Sequence, residues 1–490
     1  MSEKKHNGIT ILGLGPGNPD LITKEAWSII NSAPELYLRT DQHPCIKHIP
    51  DGITKHSFDY LYEENENFDL VYKEIVSNVI NLGQRPDGVI YAVPGHPFVA
   101  ESTTPMIIKK AKQLNIPIHI VEGLSFLEPT FSALEIDPFD KIVLLDAFEI
   151  AVLHHPNYSP SIPALITQIY SRQIASEVKL TLMAVFPDDH EICLIHCAGT
   201  EDQLIERVPL YEMDRSGYIS LMTNVYIPSL DKESSFEEFQ EIVAHLRAPD
   251  GCPWDKEQTH NSLRPNLLEE TYETLSALDN EDYEAMEEEF GDLLLQIVLH
   301  AQIASEAGEF NMNDVVRGIN KKIVHRHPHV FGDLDVENVD GVLLNWEKLK
   351  AEERKNSIKK KKDGLLDSVP TILPSLELAQ EYQARVARVG FDWKEISGVL
   401  QKVKEEFKEV KDANSTEETE KEIGDLLFSV VNLARWLCVN AESALRMANN
   451  KFKERFKFIE KNARESDKEL SDMTLDEMDT LWDKAKGLER

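Results

Sequence analysis

The apolar pattern of this chain changes near residue 235, and this change limits the possible folds more than any other feature. Before it, short apolar runs such as "GITILGLG", "DGVIYAVPG" and "LTLMAVF" alternate with stretches of helical periodicity such as Leu70 to Leu82. After it, long charged amphipathic patterns take over. The first pattern predicts an α/β domain with a largely parallel sheet, and the second predicts a nearly all-helical half.

Size and charge set further limits. The chain has 490 residues, too many for one compact domain, and its 86 acidic and 52 basic side chains give a formal net charge of −34. So acidic a chain repels a phosphate backbone, and we expect no stable nucleic-acid binding. Five scattered cysteines without a paired motif, and no apolar run long enough to span a bilayer, predict a cytoplasmic protein with no membrane contact.

The helical half contains an internal repeat. The segments "LLEETYE" and "EEFGDLLLQIVLHA", copy one, reappear as "KVKEEFKEV" and "KEIGDLLFSVVNLAR", copy two. Each copy predicts two helices joined by a turn, with two pairs of carboxylates three residues apart on one helical face. The carboxylates are Glu270, Glu273, Glu289 and Asp292 in copy one, and Glu406, Glu409, Glu422 and Asp425 in copy two.

Carboxylates that converge on one patch repel one another unless a cation lies between them, and hard oxygen ligands select Mg²⁺ or Mn²⁺. A solvated acidic surface is the alternative. Two features favour inward-facing acids. Asp292 and Asp425 border an apolar stripe that we expect to be buried. In addition, both copies keep a glycine, Gly291 or Gly424, inside the helix, which suggests the close approach of a neighbour.

A basic pair at helical spacing lies downstream of the acids in each copy. The pairs are Lys322 and Arg326 in copy one, and Lys451 and Arg455 in copy two. Either pair alone could be a solvated face. Together with a carboxylate-bound metal, they are the groups that a triphosphate requires, because they neutralise charge on the phosphates. Trp346 and Trp482 lie near the ends of the copies, where position alone favours core packing.

The second half carries a family resemblance on four segments: "GCPWDKEQTHNSLRPNLLEETYE", "EFGDLLLQIVLHAQIA", "KKIVHRHPHVFGD" and "KFKERFKFIEKN". They resemble the MazG family of nucleoside triphosphate pyrophosphohydrolases over Phe236 to Arg490. The resemblance implies an all-α bundle completed by dimerisation, and Mg²⁺-dependent hydrolysis of an NTP or dNTP to the monophosphate and pyrophosphate. It assigns the eight carboxylates to the metal, and it assigns Lys451, Arg455 and Trp482, with Lys322 and Arg326 in copy one, to the nucleotide.

The chemistry expected from this resemblance is an in-line attack by a metal-activated water between the α and β phosphorus atoms. A carboxylate such as Glu406 or Glu409, or Glu270 or Glu273 in copy one, would accept the proton. Copy two has "VGFDWKE" in place of "GCPWD", so the two copies need not be equally active. The alternative reading is a regulatory module that binds nucleotide without turnover, or a dimerisation scaffold, attached to the N-terminal domain.

The N-terminal half opens with a strand and a glycine turn, "ITILGLGPGNPDLIT". It is not the dinucleotide fingerprint, because Asn18 stands where GxGxxG has its last glycine. With "YAVPGHPFVAEST" and "IVEGLSFLEPTFSALEID", it resembles the tetrapyrrole methylase family over residues 7 to 225. That resemblance implies two α/β lobes with S-adenosylmethionine bound between them. The residues implied at the cofactor are Gly13, Gly15, Gly17, Pro94, Gly95 and His96.

Family members more typically have "GDP" where this chain has "GHP", and nothing in the sequence names a methyl acceptor. The sequence thus predicts three domains: residues 1–228, tetrapyrrole methylase-like; 236–362, the first MazG-like helical domain; and 366–490, the second. We expect a homodimer formed through the helical domains.

Overall fold

The computed structural model describes residues 8–65, 67–335, 338, 341–342, 345–346, 349, 364–367, 369–466 and 468–488. The chain divides into two compact units, Met1–Ile242 and Val243–Arg490, called unit 1 and unit 2. The three domain boundaries expected from the sequence stay a prediction; between the second and third domains, 364 and 365 are described and 363 lies outside the described residues.

The first sheet of unit 1 has five parallel strands in the order β3-β2-β4-β1-β5. The strands are β1 (Ile9–Gly13), β2 (Glu35–Leu38), β3 (Thr54–Ser57), β4 (Val89–Val93) and β5 (Ile118–Val121). The connecting helices are α1 (Lys24–Ser32), α2 (Asp59–Glu64), α3 (Phe68–Gly83) and α4 (Thr103–Gln113).

Both faces of this sheet are buried. Because side chains alternate along a strand, Ile9 and Ile11 of β1 pack in one apolar cluster with Ile75 of α3, whereas Leu12 packs in another with Ile30 of α1. This arrangement explains why β1 reads as a continuous apolar run rather than an alternating one.

The second sheet of unit 1 has the order β6-β7-β10-β8-β9. Its strands are β6 (Val143–Asp146), β7 (Ala164–Thr167), β8 (Glu191–His196), β9 (Leu204–Pro209) and β10 (Thr223–Ile227), and its helices are α5 (Leu127–Leu134), α6 (Ala147–Ala151) and α7 (Arg172–Leu182). Only β6 and β7 run parallel, and the other three pairs are antiparallel. The expected largely parallel arrangement therefore describes the first sheet but not the second.

The predicted strand "LTLMAVF" is wrong, because this segment is the end of α7 and the turn after it. Ser171 caps the helix by accepting a hydrogen bond from the backbone N–H of Ile174 at 3.2 Å. Ile174, Val178 and Leu182 are buried at helical spacing, and this pattern outweighs the local β-rich run.

Unit 2 is helical. Its helices are α8 (Phe236–Arg247, which crosses the division between the units), α9 (Pro253–Glu257), α10 (Arg264–Asp279), α11 (Tyr283–Glu306), α12 (Met312–Arg326), α13 (Pro328–Phe331), α14 (Ser375–Ala387), α15 (Ile396–Asp412), α16 (Thr416–Trp436), α17 (Ala441–Glu465) and α18 (Leu475–Leu488). Its described residues include no β-strand. The predicted fold class, an α/β domain followed by helical repeats, is confirmed.

The repeat produces two helical hairpins, α10–α11 and α15–α16. The turn predicted around "LDNED" is observed between Asp279 and Tyr283. Asp282 caps α11 through the N–H of Ala285 at 3.2 Å, and Ser415 caps α16 through the N–H of Glu418 at 3.1 Å. Among the described residues, no helix combines the length and apolar character that crossing a membrane requires.

Candidate active site

Three carboxylates of copy two meet where α15 and α16 pack together. Glu406 and Glu409 lie one turn apart on α15, and Glu422 comes from the facing helix α16. One oxygen of each carboxylate lies within 4.8 Å of one from each of the others. We call this group the copy-two cluster.

Glu406 is the most enclosed member of the copy-two cluster, with 4% of the residue exposed. Its Oε1 lies 2.5 Å from Nζ of Lys402, whereas its Oε2 is buried without a hydrogen-bond partner. Hydrogen bonds to Glu406 and then Glu405 raise the pKa of Lys402. Desolvation, followed by repulsion from Glu406 and Glu422, raises the pKa of Glu409.

Copy one repeats the arrangement in a more open form. Oxygens of Glu270, Glu273 and Glu289 lie within 4.8 Å of one another, and Glu270 is half-buried. Desolvation, followed by repulsion from Asp292 and then the other two carboxylates, raises the pKa of Glu270. Desolvation and repulsion from Glu273 likewise raise the pKa of Glu289. We call Glu270, Glu273 and Glu289 the copy-one cluster.

The fourth predicted carboxylate of each copy lies outside these groups of three. Asp292 is close enough to act on the pKa of Glu270, and Asp425 contributes to the raised pKa of Lys421, after Glu422. Asp425 is exposed and lines a cavity beside the copy-two cluster. Each aspartate is therefore a neighbour of its cluster rather than part of it.

The residues of both clusters fit a hard divalent cation. All donor atoms are carboxylate oxygens, the set that Mg²⁺ and Mn²⁺ prefer. Desolvation, followed by repulsion between the carboxylates, raises the pKa of Glu270, Glu289 and Glu409, and a bound cation would relieve that repulsion. The buried, unpartnered Oε2 of Glu406 is an acceptor that a cation would satisfy.

Among the described residues, one expectation about the surroundings of the acids is met only in part and another is wrong. The apolar stripe beside the aspartates is partly buried: Leu294, Ile297, Leu427 and Val430 are between 37% and 53% exposed, whereas Val431 is 1% exposed. Outside the helix itself, no described atom would lie within 4 Å of a Cβ at Gly291 or Gly424. The described residues therefore leave this side of the hairpins largely uncovered.

A cavity of about 520 Å³ lies beside the copy-two cluster. Glu406, Lys402 and Asp425 line it, together with aromatic and apolar side chains. The aromatic residues are Tyr382, Phe391, Trp393 and Phe428. Its size falls in the range of about 300–1,000 Å³ that is typical of small-molecule sites. Its lining combines charged and aromatic groups, as a nucleotide site requires.

One wall of this cavity is a fixed polar network. Arg435 donates from one nitrogen to both carboxylate oxygens of Asp392, at 2.8 and 2.9 Å, and Trp436 Nε1 donates to Asp392 at 3.0 Å. Despite desolvation, the hydrogen bonds of Trp436 and Arg435 hold the pKa of Asp392 below its usual value. Asp392 is therefore an ionised structural group here rather than a free ligand.

Sequence reasoning did not select Lys402, Asp392 or Arg435. A signal existed for Lys402, which stands four residues before Glu406 and so shares its helical face. Asp392 lies in "VGFDWKE", the segment in which copy two departs from copy one. Its pairing with Arg435 joins residues 43 positions apart, which no local pattern indicates.

The two arginines predicted to bind nucleotide each lie near a tryptophan ring. The guanidinium of Arg455 on α17 lies 5.3 Å from the ring centre of Trp482 on α18, and that of Arg326 lies 5.6 Å from Trp346. None of the predicted residues Lys451, Arg455, Trp482, Lys322 and Arg326 lines the cavity beside the copy-two cluster.

In unit 1, the predicted cofactor glycines lie together. Gly15 and Gly95 exchange backbone hydrogen bonds, N to O, of 3.2 and 2.8 Å, and both have positive φ, +73° and +66°. A Cβ at Gly13 would lie 2.6 Å from the carbonyl oxygen of Gly95. Gly17 also has positive φ. Only glycine allows this close approach of backbone, which creates a cradle that side chains would fill.

A cavity of about 210 Å³ adjoins this cradle. Pro94 and Gly95 line it, whereas His96 does not and instead accepts a hydrogen bond at Nδ1 from the N–H of Phe98 at 3.1 Å. Arg39 and His43 also line it. The guanidinium of Arg39 lies 2.5 Å from the buried carboxylate of Glu101. Burial lowers the pKa of His43 to about 4, so this histidine is neutral at neutral pH.

Two known families match the chain, one in its first half and the other in its second half. Residues 258–331 and 395–459 match the MazG nucleotide pyrophosphohydrolase domain, and residues 8–214 match the tetrapyrrole (corrin/porphyrin) methylases. All eight predicted metal-binding carboxylates lie inside the two MazG segments.

Relatives extend the similarity over the whole chain. The chain is 43% identical to the protein YabN of Bacillus subtilis (strain 168), covering 98% of this chain and 99% of that protein. Its second half, 51% of the chain, is 46% identical to the nucleoside triphosphate pyrophosphohydrolase/pyrophosphatase MazG of Thermotoga maritima, 96% of which is covered. The same share is 44% identical to the nucleoside triphosphate pyrophosphohydrolase of Escherichia coli (strain K12), 95% of which is covered.

Proposed function

Because this chain belongs to the family of Bacillus subtilis YabN and carries both tetrapyrrole methylase and MazG nucleotide pyrophosphohydrolase domains, we propose that it hydrolyses nucleoside triphosphates to monophosphates and pyrophosphate. The observation that carries the proposal is the copy-two cluster, in which the buried Oε2 of Glu406 has no partner, beside a cavity with aromatic walls. The cluster suits a cation and the cavity suits a nucleoside.

In this proposal, different residues of copy two bind the cation, accept the proton and surround the nucleoside. Glu406, Glu409 and Glu422, with Asp425 beside them, would hold Mg²⁺ or Mn²⁺. When bound, the ion would neutralise phosphate charge and polarise the phosphoryl group that is attacked. Glu409 is exposed next to the ion site and has a raised pKa, so it is placed to accept the proton of the attacking water. The aromatic walls of the cavity would exclude water from the nucleoside.

Copy two is the better candidate for turnover. Glu406 is buried and borders the cavity, whereas its counterpart Glu270 is only half-buried. Lys402 stands next to Glu406, and the position that corresponds to it in copy one is Asn266. A cationic side chain beside the acids would help to receive a triphosphate. In this proposal copy one, through Glu270, Glu273, Glu289 and Asp292, binds a cation and supports the fold.

A second copy of the chain would complete the site. Ile423, Leu427 and Val430 form an apolar face on α16 that is between 44% and 53% exposed, more than a lone surface residue explains. The basic pair Lys451 and Arg455 lies outside the cavity in this chain. A homodimer that covers the apolar face could bring these basic groups to the phosphates of the partner.

The test is product analysis with the full chain. The purified protein is incubated with Mg²⁺ and each ribo- and deoxyribonucleoside triphosphate, and released phosphate, pyrophosphate and nucleotide are measured separately. We expect the monophosphate and pyrophosphate in equal amounts. The absence of pyrophosphate with every triphosphate, while nucleotide still binds, would favour a regulatory module over an enzyme.

The glycine cradle supports a second candidate function in unit 1. We propose that S-adenosylmethionine binds at Gly13, Gly15, Gly17, Pro94 and Gly95, with His96 outside the cavity that this cradle borders. Calorimetric titration of the full chain with S-adenosylmethionine tests this, with Gly95→Val as the variant, because valine at φ +66° would displace the backbone. Equal binding by both proteins would overturn it. The cytoplasmic location stays a prediction.

A further inference from the structure

Gln383 has an unusual position in the cavity beside the copy-two cluster. It lies on α14, is 6% exposed and forms part of the cavity lining. Its Nε2 donates to the backbone carbonyl of Phe428 at 2.8 Å. A carbonyl oxygen can only accept, so this bond fixes which end of the amide is nitrogen. The Oε1 is then a buried acceptor without a hydrogen-bond partner.

The other polar groups of the cavity are largely satisfied. Asp392 accepts from Arg435 and Trp436, and the Oδ1 of Asn432 accepts from Arg435 at 2.9 Å. Among the residues that line the cavity, only Glu406 and Gln383 have a buried side-chain oxygen without a partner. A buried acceptor that stays unsatisfied costs stability, so each of these two oxygens marks a place where a ligand can bind.

Gln383 is bonded to α16 at a different level from the copy-two cluster. The carbonyl that accepts the hydrogen bond from Gln383 belongs to Phe428 on α16. Phe428 lies six residues after Glu422 of the copy-two cluster, or about 9 Å along the same helix. The cation site is therefore at one end of this interval and the amide at the other. Tyr382, Phe391 and Trp393 line the same cavity and offer flat apolar surfaces to a ring.

We infer that Oε1 of Gln383 accepts a hydrogen bond from an N–H group of the substrate base. It would therefore favour nucleotides whose base carries such a donor over nucleotides whose base lacks it. This inference rests on the proposed pyrophosphohydrolase function. The donor is the amino group in adenine or cytosine, or the ring N–H in guanine, uracil or thymine. Triphosphates whose base lacks a donor at this position would leave the acceptor unsatisfied and react more slowly.

The experiment compares nucleotides that differ by one donor, using the full chain with Mg²⁺. One pair is ATP and purine riboside triphosphate, which lacks the amino group; the other is UTP and 3-methyluridine triphosphate, which lacks the ring N–H. In at least one pair, we expect the wild-type protein to have a kcat/KM about 3- to 10-fold lower for the nucleotide that lacks the donor. A change of this size corresponds to the free energy of one neutral hydrogen bond. Dissociation constants for the same nucleotides give a readout that does not need turnover.

Two variants locate the effect. Gln383→Met keeps the length of the side chain but removes the acceptor, and it should bring the ratio within each pair to about 2-fold or less. The matched control is Gln380→Met, one turn earlier on α14 and outside the cavity lining. Both ends of the Gln380 amide are already bonded, to the Val439 carbonyl and the Ala441 N–H. This control should lower stability but leave both ratios unchanged.

The outcomes separate the two proposals. If the wild-type protein does not discriminate within either pair, or if Gln383→Met discriminates as the wild type does, the role of Gln383 is overturned while hydrolysis stands. If no triphosphate is hydrolysed, the proposed function fails. In that case the role of Gln383 is tested by the ratio of the two dissociation constants within each nucleotide pair, compared between the wild type and Gln383→Met.

Discussion

Glu405 and Glu406 differ by one position on α15, and that difference decides which of them can bind a cation. Both contact Lys402, at 2.9 and 2.5 Å. The side chain of Glu405 points into solvent and is 52% exposed, whereas that of Glu406 turns into the hairpin. Because both lie within one turn of Glu409 in "KVKEEFKEV", neither composition nor helical spacing distinguishes them. Burial does: the side chain of Glu406 is 5% exposed and belongs to the copy-two cluster.

This contrast gives a matched pair of variants. Glu406→Gln removes a charge from the cation site, so we expect pyrophosphate release to fall at least about 100-fold and the Mg²⁺-dependent rise in melting temperature to shrink. Glu405→Gln changes the same atoms one position away and should retain activity within about 3-fold, as a surface change does. Initial rates and thermal unfolding with and without Mg²⁺ measure both. Full activity of Glu406→Gln would remove the copy-two cluster from the mechanism.

His43 carries a separate prediction for unit 1. Its pKa is about 4 in the folded protein, compared with 6.5 for the free side chain, because it is buried. The unfolded protein therefore binds more protons between these values, so the folded state loses stability as pH falls from 6.5 towards 4. From neutral pH to pH 5 the loss is about 2 kcal/mol.

Hydrogen exchange of the β1 and β4 amides, corrected for intrinsic rates, measures this loss locally. We expect protection in the wild-type protein to fall on acidification by more than in His43→Gln, whose side chain does not titrate. An identical pH response of the two proteins would show that His43 is not the cause.

For individual site residues, the sequence predicted only those that their spacing along a helix can specify. All eight carboxylates could be chosen from their three-residue spacing, and the structure gathers three of them in each copy. Gln383 could not be chosen, because its importance depends on a bond to Phe428, 45 residues away, and on a cavity that exists only after folding. Asp292 and Asp425 lie outside these groups of three, since spacing gives a face but not a distance, and their assignment to the metal stays a prediction.

Among the elements, the two hairpins were the most predictable features. Repetition, helical periodicity and the polar turn "LDNED" all indicated the same structure, and such agreement between signals makes a prediction strong. The segment "LTLMAVF" failed because a short apolar run fits a strand and a buried helix end equally well. The antiparallel part of the second sheet was missed because no sequence pattern in these short strands specifies their direction.

The exposed glycines of unit 2 test the proposed dimer. Gly318 in α12 and Gly424 in α16 are both inside helices, and outside the helix itself a Cβ at either would meet no described atom within 4 Å. For Gly318→Ala we expect about 0.5–1 kcal/mol of stabilisation, because alanine favours the helix. Gly424 lies beside the exposed Ile423 and Leu427, so we expect Gly424→Ala to weaken association of the chain, since its methyl group would meet the second copy.

Analytical ultracentrifugation for association and chemical denaturation for stability separate the two effects. If Gly424→Ala stabilised the protein as Gly318→Ala does and left association unchanged, this side of α16 would not be an interface. The close neighbour that the sequence suggested at Gly424 would then be absent from the dimer as well as from the single chain.

For the whole molecule, the high negative charge is compatible with a stable fold because much of it is exposed to solvent, while a small part is concentrated at the two clusters. The formal charge of −34 was readable from the sequence, and the absence of stable nucleic-acid binding expected from it stays a prediction. The places where that charge opposes folding were not readable, because they depend on which carboxylates converge. Desolvation and then repulsion between neighbouring carboxylates raise the pKa of Glu270, Glu289 and Glu409, which indicates the two clusters as such places.

These shifts couple stability to pH and to Mg²⁺. A carboxyl group whose pKa is raised on folding binds protons more tightly in the folded state, so acidification from neutral pH towards the raised pKa stabilises the fold through these groups. A divalent cation relieves the same repulsion at neutral pH. Protons and Mg²⁺ therefore compete for the clusters, and each reduces the stabilisation that the other provides.

We therefore expect Mg²⁺ to raise the melting temperature of the full chain more at pH 7 than at pH 5, because protons compete with the ion for carboxyl groups whose pKa is raised by folding. With free Mg²⁺ at about 100 times its dissociation constant, one site contributes about 2.7 kcal/mol. Glu406→Gln should remove the contribution of one copy and Glu270→Gln that of the other, so the double variant should respond weakly at both pH values. A Mg²⁺ effect of equal size at pH 7 and pH 5 would count against the two clusters as the binding sites, because protons oppose cation binding to carboxyl groups with raised pKa.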